Sequence, residues 1–260
     1  MRVIAVQYDI IWENRAANHA KVSALLERDP PPRDSLVVLP EMFATGFSMN
    51  LEKTAQTESG EDERFVAEAI CRRFGAWCVA GVVSRGASGR GRNEAVAFDP
   101  QGQLVARYCK VHPFSPGTED RFYEAGNEIV TFECNGLTVA PFVCYDLRFP
   151  EIFRLAARRG ADLMPVIANW PASRAEQRMI LLRARAIENQ SYIIGVNRVG
   201  DDPTLHYSGQ SVILSPQGQV LAESGEHEGL IAADVDPDAL QEYRARFPWL
   251  RDMRREFVGE

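Results

Sequence analysis

A carboxylate, an ammonium and a thiol each follow an apolar run: Glu41 after "SLVVLP" (35–40), Lys110 after "LVARYC" (104–109) and Cys144 after "TVAPFV" (138–143). In open α/β sheets the strand ends converge on a crevice where ligands bind, so three such ends can bring these groups into one pocket. Singly, each has an ordinary reading: Glu41 caps the next segment, Lys110 reaches solvent, and Cys144 is one more buried thiol. Jointly they fit amide hydrolysis through a thioester. A thiol with an ordinary pKa of about 8.5 is mostly protonated at neutral pH and needs a base. Acidic neighbours raise that pKa further, which makes Glu41 the expected acceptor of the thiol proton. The tetrahedral intermediate needs preorganised donors for its oxyanion, and the Lys110 ammonium and the backbone N–H of Tyr145 can supply them.

The rest of the chain bounds what surrounds this chemistry. Its 260 residues, 45% apolar and 25% charged, carry a net charge of −7. That balance argues against a nucleic-acid partner, since no basic stretch stands ready to neutralise phosphates. "RDMRRE" at 251–256 mixes both signs and reads as a solvated tail. No apolar run approaches the roughly 20 residues of a membrane span. "MRVIAVQYDIIWEN" is interrupted by Asp9 and Glu13 and reads as a first strand rather than a signal peptide. Five cysteines (71, 78, 109, 134 and 144) form no CxxC pair, which suits reduced thiols and a cytoplasmic location. Four scattered histidines (19, 112, 206 and 227) support no metal site, and the chemistry calls for no cofactor.

Short apolar runs alternate with helical patterns along residues 1–260, with no linker or composition break, so a single α/β domain is expected. Strands are predicted at 2–7, 35–40, 77–84, 137–144, 161–169 and 191–199, and helices at 14–29, 62–75, 150–160 and 172–190. Two hairpins share one grammar, "AVAFDPQGQLVARY" and "SVILSPQGQVLAES", which suggests two sheets of similar build.

The motifs "PEMF", "YCKVH" and "VCYDLRFPE" resemble the Glu–Lys–Cys triad of the nitrilase (carbon–nitrogen hydrolase) superfamily. The likeness runs from "AVQYDI" through "ARAIENQSYIIGVNRVG" to "YSGQSVILSPQGQVLAE". It implies a four-layer α-β-β-α sandwich and a homodimer joined through helical faces. It also implies a second glutamate between lysine and cysteine, seven residues before a glycine. Of Glu119 and Glu124, Glu119 has that relation to Gly126, with the implied role of orienting Lys110 and assisting proton handling. A papain-like pairing of Cys144 with His112 is the competing nucleophile reading, although the local protease signature is absent. A non-catalytic protein that binds a metabolite is a further alternative.

"PEMFATGFS" and "ANWPASR" are most similar to the omega-amidase branch, which releases ammonia from the terminal amide of 2-oxoglutaramate and 2-oxosuccinamate. Deaminated-glutathione amidases and N-carbamoyl amino acid hydrolases are the alternatives within the superfamily. A short keto-acid amide needs a cation for its carboxylate, and Arg148 and Arg174 are the candidates. Arg148 has the competing reading of an ion pair with Asp146 or Glu151. Phe43, Phe114 and Trp170 are expected walls, while Glu188 and Asn189, in the last turn of the long helix, are expected to support the triad from behind.

Overall fold

Alternation inside the short apolar runs decides the architecture. The computed structural model describes residues 1–254 and 256. Its first half runs β1 (Arg2–Gln7), α1 (Arg15–Arg28), β2 (Leu36–Val38), α2 (Leu51–Thr54), α3 (Glu61–Phe65), β3 (Trp77–Arg85), β4 (Gly91–Phe98) and β5 (Leu104–Cys109). After α4 (Glu119–Phe122) come β6 (Phe132–Cys134), β7 (Leu137–Val139), β8 (Phe142–Val143), α5 (Pro150–Arg158), β9 (Leu163–Ala168), α6 (Ala175–Asn189) and β10 (Tyr192–Asn197). The chain then forms β11 (Val199–Asp201), β12 (His206–Ser208), β13 (Val212–Leu214), β14 (Val220–Glu223), β15 (Gly229–Asp234) and α7 (Pro237–Arg246).

One sheet has the order β15-β1-β2-β3-β4-β5 and the other β14-β13-β10-β9-β7-β6, with β8 also on β9. In the first sheet Val3, Ala5, Leu36, Val38 and Val79 face the second sheet and share one core with Val139, Val166 and Ile193. Their neighbours Val6, Val37, Cys78 and Ala80 face the other way, onto Val22, Leu26 and Ile70 of the covering helices. On the far side α5 brings Phe153 onto Phe142, ring centroids 4.0 Å apart, and α6 lies on β10 and β13. The layers are therefore α-β-β-α, as expected.

Three details depart from the sequence expectation. The predicted 137–144 strand is two pieces, because Pro141 has no N–H for the ladder and splits β7 from β8. The predicted 62–75 helix widens into a π-turn segment at Val66–Arg72, which keeps Val66, Ala67, Ile70 and Cys71 together against the sheet. β6, β15 and α7 are additional, with β15 closing the first sheet antiparallel to β1. Of the tail at 251–256, Arg251, Asp252, Arg254 and Glu256 are exposed, and Arg255 lies outside the described residues.

Candidate active site

Strand parity sets the inward-facing polar groups. On β4, Asn93 shares its face with Ala95 and Ala97, and on β5 Lys110 continues the face of Ala106 and Tyr108, all toward the inter-sheet core. The two are joined by the Lys110 N–H donating to the Asn93 carbonyl, 2.8 Å. Glu41 enters from the turn after β2, where Met42 adopts φ 45° and its chain presses on Gly81 of β3. A Cβ at Gly81 would sit 2.5 Å from the Glu41 Cα, so only glycine permits this approach. Glu119 opens α4. Its backbone N–H donates to the Phe114 carbonyl (3.2 Å) while its Oε2 accepts the Phe114 N–H (2.5 Å), so these reciprocal bonds fix its loop.

These side chains meet in a charged cluster closed to solvent. The Lys110 ammonium lies 2.9 Å from Glu41 Oε1 and 2.8 Å from Glu119 Oε2. Asn169 gives its backbone N–H to Glu41 Oε2 at 2.8 Å and its side-chain amide to the Glu41 carbonyl at 2.7 Å. Burial alone would raise the Glu41 carboxyl, but Lys110, with the donors of Asn93 and Asn169, outweighs it and leaves Glu41 below its ordinary value. Glu119 ends above its ordinary value, because burial and the nearby Glu41 charge prevail over Lys110. Burial disfavours the Lys110 ammonium, yet Glu119 and Glu41 hold it well above the usual lysine range.

Cys144 starts a short helical turn, Cys144–Arg148, in the left-handed region at φ 46°. Asp146 ties that turn down. Its Oδ2 accepts the Tyr108 hydroxyl (2.8 Å) and the Val143 N–H (3.2 Å), and its Oδ1 accepts the His112 N–H (2.9 Å). From behind, Arg185 donates to the Leu147 carbonyl at 2.7 Å and is itself paired with Glu188 at 2.9 Å. Glu188 thus reaches the turn through Arg185, while Asn189 donates back to the Arg185 carbonyl within α6. The Tyr145 N–H lies in the first turn of this segment, where backbone donors lack intrahelical acceptors. Burial pushes the Cys144 thiol well above its ordinary value, and Glu41 adds to this while Lys110 opposes it. A thiol kept protonated beside an ionised carboxylate is the arrangement general-base activation needs.

A cavity opens over this cluster, lined by Lys110, Cys144, Tyr145 and Asn169 at one end. Phe47, Phe114, Trp170, Arg148, Arg174 and Tyr207 form its other walls. Arg174 lies over the Phe114 ring (5.5 Å), and its guanidinium has no acceptor among the described residues. Arg148 lies over Trp170 (4.9 Å) and donates to Gln177 (3.0 Å), not to Asp146 or Glu151.

Two expectations need correction. Phe43 is no wall: it is fully buried under the first sheet, 5.6 Å from His19 and 6.0 Å from Phe65 between ring centroids. Turning at Met42 points it into that core, and Phe47 supplies the wall, 5.3 Å from the Lys110 ammonium. His112 is no rival base. Its Nδ1 is 2.9 Å from Asp146 and its ring is stacked on Phe149 at 3.7 Å, outside the cavity lining. Glu124 turns outward to Ser88, leaving Glu119 as the carboxylate on Lys110. The sequence reading missed Asn93, Asn169, Phe47 and Tyr207. Only Asn93 carried a readable signal, a polar residue in phase with inward-facing alanines.

Among the described residues no His, Cys, Asp and Glu cluster could hold a metal, and no helix is long and apolar enough to cross a membrane. Comparison with known proteins agrees with the site. The carbon–nitrogen hydrolase family model matches residues 2–245. The chain is 33% identical to the 2-oxoglutaramate amidase of Bacillus subtilis, over 98% of both chains. It is 37% identical to the omega-amidase YafV of Escherichia coli K12, over 97% of this chain and 96% of that one. It superposes on XC1258 of Xanthomonas campestris, a CN-hydrolase superfamily protein solved with an arsenic adduct in its active site. The TM-score is 0.91 at 36% identity, covering 98% and 97% of the two chains. With the buried acid–lysine–acid cluster set against a thiol at a strand end, this likeness along almost the whole chain makes the protein a member of the carbon–nitrogen hydrolase family.

Proposed function

We propose that this hydrolase is an omega-amidase that converts a short α-keto acid amide, such as 2-oxoglutaramate or 2-oxosuccinamate, to the dicarboxylate and ammonia. The observation that carries the reading is the polarity of the cavity. A buried acid–lysine–acid cluster and Cys144 lie at one end, and Arg174, without an acceptor among the described residues, lies among the aromatic walls. The curated relatives named 2-oxoglutaramate amidase and omega-amidase support it. A guanidinium resting on an aromatic face keeps its donor edge for a carboxylate.

In this reading Glu41 takes the Cys144 proton as sulfur attacks the amide carbon. Oε2 of Glu41 carries one short donor bond, at 2.8 Å, and one of 3.4 Å, so it retains room for that proton. Lys110 and the Tyr145 N–H stabilise the oxyanion, and the returning proton leaves with ammonia. Glu41 then deprotonates water, which cleaves the thioester and restores the thiol. Glu119 keeps the Lys110 ammonium aimed at the oxyanion.

The deciding test is ammonia release from 2-oxoglutaramate, 2-oxosuccinamate, deaminated glutathione, glutamine and N-carbamoyl amino acids. The keto-acid amides should give the highest kcat/KM. A preference for glutamine or an N-carbamoyl amino acid would overturn the substrate assignment. Arg174→Gln should raise KM for 2-oxoglutaramate by about tenfold or more with a smaller change in kcat, as loss of a charged hydrogen bond to substrate requires. Exposed Ile180 and Ile187 on α6 support the homodimer, which light scattering would test, and five free thiols support a reducing, cytoplasmic setting.

A further inference from the structure

Two neutral amides enter the cluster, Asn93 and Asn169, and each leaves its oxygen buried without a partner among the described residues, but Asn93 spends both of its hydrogens on the two acids. Asn93 is buried, and its Nδ2 donates to Glu41 Oε1 at 2.7 Å and to Glu119 Oε1 at 2.8 Å. Its Oδ1 is buried with no partner among the described residues. Leaving a buried carbonyl unpaired costs free energy, so the orientation must be imposed by something stronger. Turning the amide over would set its oxygen against two carboxylate oxygens. Both hydrogens are thus committed to the two acids, and the oxygen is sacrificed.

Among the described residues, Lys110 and Asn93 are the two side chains that bond both Glu41 and Glu119. An ammonium on a flexible stem is a point charge that tolerates many directions. A planar amide anchored on β4 is directional: one hydrogen to each acid sets the angle between them. We propose that Asn93 is a positioning residue that yokes Glu41 to Glu119 and so fixes the orientation in which Glu41 receives the thiol proton. The role rests on the amidase reading for its catalytic meaning and on the geometry alone for its existence. The charged or titratable groups facing the two acids are Lys110, Cys144 and Tyr123, and the remaining donors are Asn169 and the Phe114 N–H. None of these except Lys110 bonds both acids.

The test pairs Asn93→Leu, which keeps the shape and removes both hydrogens, with Asn93→Ser, whose single hydroxyl hydrogen can serve one acid at a time. Each hydrogen stabilises an ionised carboxylate, so its loss lets Glu41 protonate at higher pH. In Asn93→Leu, kcat/KM for 2-oxoglutaramate should fall about ten- to a hundredfold with KM within about threefold, and the acid limb should move up by about one pH unit. The infrared band of protonated buried carboxyl groups, followed by pH in the protein without substrate, should persist to correspondingly higher pH. Asn93→Ser should lie between wild type and Asn93→Leu in both readouts, and it decides the matter if Asn93→Leu fails to fold. An acid limb and infrared band unchanged in the variants, whatever the drop in rate, would make Asn93 mere packing and overturn the proposal. So would an Asn93→Ser variant identical to wild type. If wild-type protein released ammonia from no amide, the amidase reading would fail while the infrared titration still judged the yoke.

Discussion

The two hairpins, β4–β5 and β13–β14, are built alike and end differently. At each closed end one residue organises the turn: Asp99 Oδ1 accepts the N–H groups of Gln101 and Gln103, and Ser215 Oγ accepts those of Gln217 and Gln219. Gly102 and Gly218 follow with φ 70° and 77°. At the open ends they part. The first presents Asn93 and Lys110 to two carboxylates. The second presents Ser211 and Ser224, whose hydroxyls both donate to Gln7 Oε1 on β1, at 2.8 and 2.7 Å. One open end concentrates buried charge, and the other stitches the two sheets with neutral hydrogen bonds. Buried charge is poor value as a fastener, since desolvation offsets much of its attraction. Its presence is what the proposed chemistry at that end requires.

If that contrast is right, changes at the charged end should remove activity more than stability, and changes at the neutral end the reverse. The largest effect belongs to Cys144→Ala, which should lower kcat by roughly 10⁴-fold or more with an unchanged fold. A slow substrate should leave its acyl mass on Cys144, and an adduct on Cys71, Cys78, Cys109 or Cys134 would break the comparison at its root. Lys110→Met should cost on the order of a hundred- to a thousandfold in kcat, as loss of an oxyanion donor does. It also strips Glu119 of the charge that opposes its upward shift, so its folded carboxyl rises further above the unfolded value. The stability tied to that proton is present at low pH and lost as pH rises. The Tm deficit of Lys110→Met against wild type should therefore be small near about pH 5 and grow toward about pH 8.

Glu119→Gln should cost about a hundredfold in kcat, and Glu124→Gln less than about twofold, because the Glu124 carboxylate accepts from Ser88 at the surface, away from Lys110. The smallest effect on rate sharpens the other side. Ser224→Ala should lower stability by about 1 kcal/mol in denaturant titration and leave kcat per folded molecule within about twofold. A large kcat loss there would mean that the neutral end also shapes the site.

Much of this is legible in the amino-acid sequence alone. Strand ends point Glu41, Lys110 and Cys144 at one crevice because period-2 burial is a strong constraint, and the family resemblance, through its spacing to Gly126, selects Glu119, which lies on Lys110. Gly126 itself is jammed against the Cys109 carbonyl, where a Cβ would sit 2.1 Å away. What failed was direction after a turn. Phe43 and Phe47 are both aromatic and both near Glu41, and the choice between core and cavity depends on the left-handed backbone at Met42. Composition has no access to that dihedral. Asn169 and Tyr207 escaped for another reason, since their places in the cavity depend on contacts between elements far apart in sequence.

The left-handed backbone at Cys144 has its own consequence. A residue with a Cβ held there carries strain on the order of 1 kcal/mol that glycine does not feel. The fold therefore holds its proposed nucleophile where glycine would relieve backbone strain at the expense of the packing the thiol makes against the core. Cys144→Gly should melt close to the wild-type temperature while being inert, the relieved strain offsetting the lost packing. It would be a durable vessel in which an unreacted amide can be captured and seen.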